Sequence, residues 1–378
     1  MNEIQNSSSS SFKSVDDKAN KNNTNISLEM TTVAIDKNVE ENDDFGQVVQ
    51  YEENKELKSL STAELKENKA IVLSILIPFS IIGALIRIGL NTLHSYPGSP
   101  VFSLIYPQFV GCVIMGFCLA RKGFIMESYL PLYIGLTTGL CGSITTFSSW
   151  MLSIFKEFIL PVSHRGGLYN ILAALADIGI TLGMSITGLK IGEHIADIII
   201  RNRKTHSVLH IVEEPFKLNE LIIPDFISIG IGVVSIVLVV TLSSTVQVNR
   251  SVLFAVVFAP IGALTRWYLS KYNAMKKSFP WGTFAANMSG SVIIGILFLL
   301  SNGIASSNIS CEIIKGLIDG FCGCLTTIST FATEINITLP RKHAYRYAFI
   351  SILMGQIAMI LTIGIYHWIV GLTTTCPA

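Results

Sequence analysis

Two stretches of this chain hold the side chains best placed to do chemistry. Gly139-Leu-Cys-Gly-Ser-Ile-Thr-Thr-Phe-Ser-Ser-Trp150 and Gly320-Phe-Cys-Gly-Cys-Leu-Thr-Thr-Ile-Ser-Thr-Phe331 share the frame G-x-C-G-x-x-T-T-x-S. Both sit in apolar surroundings, where clustered Gly and paired Thr weaken a helix. Gly139–Gly142 and Gly320–Gly323 are therefore candidate helix breaks. In a membrane, non-helical backbone is tolerated only where it is buried in protein or lines a polar cavity. Carbonyls freed at such breaks are hard oxygen ligands of the kind cations take. Glycine hinges for close helix packing are the alternative reading.

Hydroxyls and aromatic rings follow each candidate break: Thr145, Thr146, Phe147, Ser148 and Trp150 in one, and Thr326, Thr327, Ser329 and Phe331 in the other. Residues three apart share a helix face, so Phe147 and Trp150 form one stripe, and Ile328 and Phe331 another. Ring edges are electropositive and can stabilise a small anion without a formal charge. Plain packing is the alternative for such stripes. Asn287 lies mid-span, where its amide needs partners, and its N–H donors suit an anion. Its counterpart in the other half is Gln108. Arg87 and Arg266 close a shared G-A-L-x-R and read either as an anion-attracting vestibule or as snorkelling side chains. Asp177 and Asp225 have no counterparts and receive no role.

Composition and patterning supply the elements that must position these groups. The 378 residues are 50% hydrophobic and 14% charged, which places the chain in the membrane class. A net charge of +1 offers no basis for nucleic-acid binding. The seven cysteines suggest neither a zinc site nor a disulfide framework, and the polar start suggests no cleavable signal peptide. Residues 1–68, rich in Ser, Asn, Lys and Glu, are expected to form a disordered cytosolic tail. Nine apolar stretches of spanning length follow, at about 70–92, 101–120, 128–157, 168–199, 222–244, 251–270, 281–300, 312–338 and 344–371. Basic residues concentrate in alternate loops (Arg121 and Lys122; Arg201, Arg203, Lys204 and Lys217; Lys271, Lys276 and Lys277; Arg341, Lys342 and Arg346). The positive-inside rule then puts the N-terminus in the cytosol and the C-terminus outside. Asn308-Ile-Ser310 falls outside and is a glycosylation candidate.

The first four spans and the last four are two copies. Gly83–Arg87 matches Gly262–Arg266, Gly111 and Gly116 match Gly290 and Gly295, and Tyr169 matches Tyr347. The unpaired fifth span turns the second copy upside down, an arrangement that places function near the midplane at the repeat interface. The expected fold is an all-α integral membrane protein. Two inverted four-helix repeats, 69–200 and 245–371, have broken third and eighth helices. A cytosolic loop at 201–221 and a linking transmembrane helix at 222–244 join them, and 372–378 is a tail.

The ordered set G-A-x-x-R, G-T-F-x-x-N-x-x-G (282–290), G-x-C-G-x-x-T-T-x-S-T-F-A-x-E (320–334) and Y-x-x-x-S-x-x-x-G (347–355) resembles the fluoride-channel family, comprising the bacterial Fluc (CrcB) proteins and the eukaryotic fluoride exporters (FEX). The resemblance covers about 69–371, and the two-copy form with a linking helix is similar to the fungal exporters. It implies a channel that lets cytosolic fluoride leave passively across the plasma membrane, one chain standing for a bacterial antiparallel dimer. It further implies a central structural sodium ion on the carbonyls of Gly142, Thr145, Gly323 and Thr326. Phe147, Phe331, Asn287, Thr327, Ser329, Glu334, Tyr347 and Ser351 would belong to the fluoride path, with Arg87 and Arg266 at its vestibule. The family's two phenylalanines fall on Phe147 and Trp150 in one half, and on Ile328 and Phe331 in the other. A path mixing Phe147 with Phe331 keeps both rings, whereas one with Gln108, Trp150 and Ile328 is degraded. Ser153 stands opposite Glu334, and Ala173 opposite Ser351.

The rival reading is a small-molecule antiporter of similar inverted architecture. Such a protein would carry an acidic residue at matching places in both halves, and here Asp177 is opposed by Gly355 and Glu334 by Ser153. An enzyme is not expected, because there is no G-x-S-x-G elbow and no H-E-x-x-H pair or Walker-type loop.

Overall fold

Lipid offers no hydrogen bonds, so an apolar stretch must satisfy its backbone within itself, as a helix. The computed structural model describes residues 69–94, 101–159, 167–206, 226–234, 237, 250–303, 307–371 and 376, and no strand occurs among them. The first repeat comprises α1 (Lys69–His94), α2 (Ile105–Ala120), α3 (Lys122–Ile134), α4 (Phe147–Ile159) and α5 (Gly167–His206). α3 continues through a widened π-type stretch (Gly135–Cys141) into a last turn, Gly142–Ile144. The second repeat comprises α6 (Arg250–Ser270), α7 (Trp281–Gly303), α8 (Asn308–Gly316), α9 (Ser329–Thr333) and α10 (Arg341–Met359). α8 likewise continues through a π-type stretch (Leu317–Cys322) into Gly323–Leu325. Six described stretches are long and apolar enough to cross a membrane, and α2 is a shorter apolar helix. The chain is an all-α, multi-pass membrane protein.

The structure moves several expected boundaries. The breaks do not fall on the glycines. Gly142 and Gly323 keep right-handed helical angles, whereas Thr145 (φ −93°, ψ 150°) and Thr326 (φ −97°, ψ 156°) are extended. A glycine is permissive but does not force a break, and the membrane favours every helical bond that can be kept. α5 runs to His206, beyond the expected end at 200, because nothing in Arg201–His206 is a breaker. The expected tail at 1–68 and most of the 201–221 loop lie outside the described residues. Within the expected linking helix, 226–234 is helical. It meets the first repeat where Ser228 Oγ lies 2.9 Å from Tyr129 Oη. The absence of a disulfide is also corrected: Cys311 and Cys376 are bonded across a separation of 65 residues. That pairing needs the chain to leave and return to one side, which cysteine spacing alone does not reveal.

Lipid tails are as apolar as leucine, so helices in a bilayer are held by close packing and polar contacts rather than by the hydrophobic effect. α2 and α5 show this. A Cβ at Gly116 would strike the Leu189 carbonyl, and one at Gly192 the Val113 carbonyl. The bare glycines bring the two backbones into contact. Gly116→Leu should therefore push the helices apart and cost on the order of 1–3 kcal/mol. The check is the melting temperature and monodispersity of detergent-solubilised protein, and unchanged values would show that the crossing is not tight.

Candidate functional site at the paired helix breaks

A helix break inside a bilayer leaves donors at the start of one half-helix and acceptors at the end of the other, and all need partners. Here the partners come largely from the opposite repeat. The Thr145 hydroxyl accepts from the amides of Ile328 (3.2 Å) and Ser329 (3.0 Å), at the start of α9. The Thr326 hydroxyl accepts from the amides of Phe147 and Ser148, both at 3.1 Å, at the start of α4. Each break thus carries the N-cap of the other repeat's helix. Further hydroxyls join in two matched groups. Thr145 Oγ1 lies 3.1 Å from both Thr327 Oγ1 and Ser329 Oγ. Thr326 Oγ1 lies 3.0 Å from both Thr146 Oγ1 and Ser148 Oγ. The repeated Thr pair and the following Ser are explained by this exchange.

The arginines complete it. Arg87 and Arg266 are only 2% and 4% exposed, so they do not snorkel. Arg266 donates to the carbonyls of Gly142 and Thr138, in the opposite repeat. Arg87 donates to the carbonyls of Asp319, in the opposite repeat, and Ser143. A cation at a helix C-terminus meets both unpaired carbonyls and the negative end of the dipole. That attraction outweighs the pull toward water. The motif glycines make room for it, since a Cβ at Gly142 would overlap the Arg266 guanidinium and one at Gly323 that of Arg87.

Asn287 and Gln108 hold the break backbone within their own repeats. Asn287 accepts from the Thr327 amide (2.9 Å) and donates to the Thr327 carbonyl (3.3 Å). Gln108 does the same at Thr146, at 3.2 and 2.7 Å. The expected difference between an anion-facing Asn and a degraded Gln is therefore not one of backbone role: both clamp the second threonine of the pair.

The structure brings the expected aromatic pair together. Phe147 and Phe331, from opposite repeats, meet edge-on with ring centres 5.3 Å apart. Phe331 also packs on Tyr347 at 5.2 Å, and both phenylalanines are fully buried. Tyr347 donates to Glu334 (2.8 Å), which also accepts from Thr283 (2.5 Å) and Asn273 (3.5 Å). One turn beyond Tyr347, Ser351 is buried on the same helix. Tyr169, the counterpart of Tyr347, is 58% exposed and takes no part in this cluster. Ile328 and Trp150 are buried, and Trp150 touches Phe147 at 5.5 Å. Sequence reasoning missed Thr283 and Asn273. Thr283 lies inside the quoted G-T-F-x-x-N motif, while nothing in the pattern around Asn273 marks it.

Among the described residues no group of three His, Cys, Asp or Glu could hold a metal, so a central cation would rest on neutral oxygens. The extended backbone at Thr145 and Thr326 turns their carbonyls out of the helical ladder. The Gly142 carbonyl already accepts from Arg266, which leaves one lone pair. Neutral oxygens of this kind suit a hard monovalent cation, and the residues present fit sodium in donor chemistry.

The crossed caps can be tested directly. Thr326→Ser keeps the hydroxyl and should be tolerated, whereas Thr326→Val leaves the amides of Phe147 and Ser148 without it. A lost N-cap costs about 1 kcal/mol, and a bilayer offers no water to replace it. The expected result is a lower melting temperature for the Val variant only. Equal melting of both variants would exclude the crossed cap as a stabilising contact.

A family model described as CrcB-like protein, Camphor Resistance (CrcB), matches the chain twice, at residues 74–189 and 253–365. The two matches fall on the two repeats. The chain is 35% identical over 316 residues to Fluoride export protein 1 of Candida albicans, covering 77% of this chain and 78% of the relative. It is 34% identical to Fluoride export protein 1 of Neurospora crassa, covering 79% of this chain and 67% of the relative. A bacterial relative, the Fluoride-specific ion channel FluC of Acinetobacter baylyi, is 38% identical over 116 residues, which are 29% of this chain and 89% of the relative. No solved structure matches. With the family model on both repeats and fungal relatives matched over most of their length, the chain belongs to the CrcB family.

Proposed function

We propose that this protein is a fluoride-selective channel that lets cytosolic fluoride leave the cell passively, and so confers fluoride resistance. The observation that carries the reading is the edge-on contact of Phe147 with Phe331 across the repeats, with Tyr347 packed on Phe331 and the buried Ser351 one turn further along α10. An anion leaving water must find donors or positive edges to replace its hydration. Ring edges and a buried hydroxyl offer this without a cation, which would bind the ion too tightly to release it. The printed names of the relatives, fungal exporters and a bacterial fluoride channel, point the same way. A negative-inside potential drives the anion outward with about 2.3 kcal/mol per 100 mV, so no nucleotide is required.

The protein works as a single chain in the plasma membrane, with its N-terminus in the cytosol and its C-terminus outside. The basic loops support this orientation. So does the Cys311–Cys376 disulfide, which joins the start of α8 to the C-terminal tail, both read as extracellular, the oxidising side of a cell. The match of a nearly full-length bacterial channel to less than a third of this chain supports one chain standing for two. One route is competent. It runs past Phe147, Phe331, Tyr347, Ser351 and Glu334, while the route through Trp150 and Ile328 is impaired, as the outward-facing Tyr169 supports.

Sodium on the carbonyls of Gly142, Thr145, Gly323 and Thr326 belongs to this reading as a structural ion that ties the two breaks and is not carried. Replacing sodium with N-methylglucamine should lower the melting temperature, and restoring sodium should raise it. Melting that ignores sodium, or sodium tracer moving with fluoride, would rule this out.

The route itself is tested in liposomes with a fluoride electrode and a valinomycin-imposed potential. Losing one group that replaces hydration is worth on the order of 1–3 kcal/mol, or roughly tenfold to a hundredfold in rate at the barrier. Phe147→Ile and Phe331→Ile should each lose efflux by that factor. Trp150→Ile and Ile328→Ala should change it little. Equal losses in all four monodisperse variants would refute the single route, and efflux driven only by a proton gradient would refute the channel.

A further inference from the structure

The first repeat has Ser153 where the second has Glu334, and yet it does not lack a buried carboxylate. The structure supplies one from the next helix. Asp177 on α5 is buried, and its Oδ1 accepts from Trp150 Nε1 at 3.0 Å and from Thr181 Oγ1 at 3.2 Å. Trp150 holds the place in its repeat that Phe331 holds in the other. Phe331 has no polar hydrogen and offers only ring edges. Trp150 has one strong donor, its indole N–H, and that donor is consumed by Asp177. The residue matching Asp177 in the second repeat is Gly355. A Cβ there would strike Met151 Sδ at 2.6 Å and stand 3.4 Å from the Phe147 ring, so the packing of Met151 keeps this position beside Phe147 free of a side chain. Where one route has glycine beside a phenylalanine, the other has a carboxylate bonded to an indole.

We propose that Asp177, Trp150 and Thr181 form a latch that holds the second route closed. A buried carboxylate does not by itself close a route, since Glu334 lies beside the competent one bonded to Tyr347; what differs is that Asp177 bonds the indole standing in the place of Phe331. That bond pins the indole and removes the one donor the ring could offer. The second route is thus shut by a specific contact rather than by gradual loss of contacts. This inference rests on the two-route fluoride-channel reading. The competing explanation is that Asp177 only satisfies the Trp150 N–H within the packed core. That explanation predicts loss of stability when the pair is removed and never a gain of transport.

The experiment measures valinomycin-dependent fluoride efflux from liposomes in a Phe331→Ile background, which disables the competent route. Adding Asp177→Gly and Trp150→Phe should raise efflux roughly tenfold above Phe331→Ile alone, equivalent to about 1.4 kcal/mol at the barrier. No gain from monodisperse protein overturns the latch while leaving the single competent route intact. If the triple variant does not fold, Asp177→Ala in the same background removes the acceptor that holds the indole. A gain of at least severalfold is then expected, and its absence overturns the latch equally. Undiminished efflux from Phe331→Ile alone means that the second route already conducts, which overturns both the route assignment and the latch.

Discussion

A bilayer has no water to satisfy a broken backbone, and the whole structure turns on how this chain meets that constraint. Each repeat interrupts a helix at a pair of threonines, and the other repeat helps complete the interruption. Threonine hydroxyls cap the helix starts across the interface, and each arginine reaches a helix end in the opposite repeat. Half of this arrangement would leave donors and acceptors exposed to lipid. The two repeats are therefore completed by one another, whether or not anything passes between them.

The caps also explain why the aromatic pair sits where it does. Phe147 begins α4 directly after its break, and its own amide is bonded to Thr326. Phe331 lies one turn into α9, whose starting amides are bonded to Thr145. The rings are placed by backbone bonds that cross the interface, so their contact inherits the rigidity of the caps. Asn287 and Gln108 add a second restraint on the same backbone. A polar route next to such a fixed centre can keep its donors in place as an ion passes, which is the general requirement for exchanging hydration for protein groups at low cost.

Against this near-symmetric backbone, the asymmetry lies in side chains. Glu334 gathers Tyr347, Thr283 and Asn273, while the matching region of the first repeat has turned Tyr169 outward and bonded Trp150 to Asp177. Fusing two copies into one chain permits this, because each copy can change alone. What cannot change alone are the threonines and arginines, since each serves the other half.

The sequence by itself determined the membrane class, the helical fold, the duplication and the identity of the paired stretches. These follow from apolar length and repeated spacing, both of which are local or periodic properties of the chain. It also paired Phe147 with Phe331, through the resemblance that puts phenylalanines of both halves on one path, and these rings are in contact. Only the tertiary structure decided where the helices break, since glycine permits a bend but the partner's hydroxyls settle which amides are capped. Only it decided that Arg87 and Arg266 point inward, because the attraction comes from carbonyls contributed across the interface. The same holds for Asp177 beside Trp150 and for Cys311 bonded to Cys376: contacts between helices distant in sequence leave no spacing to read, and they exist only once the bundle has closed.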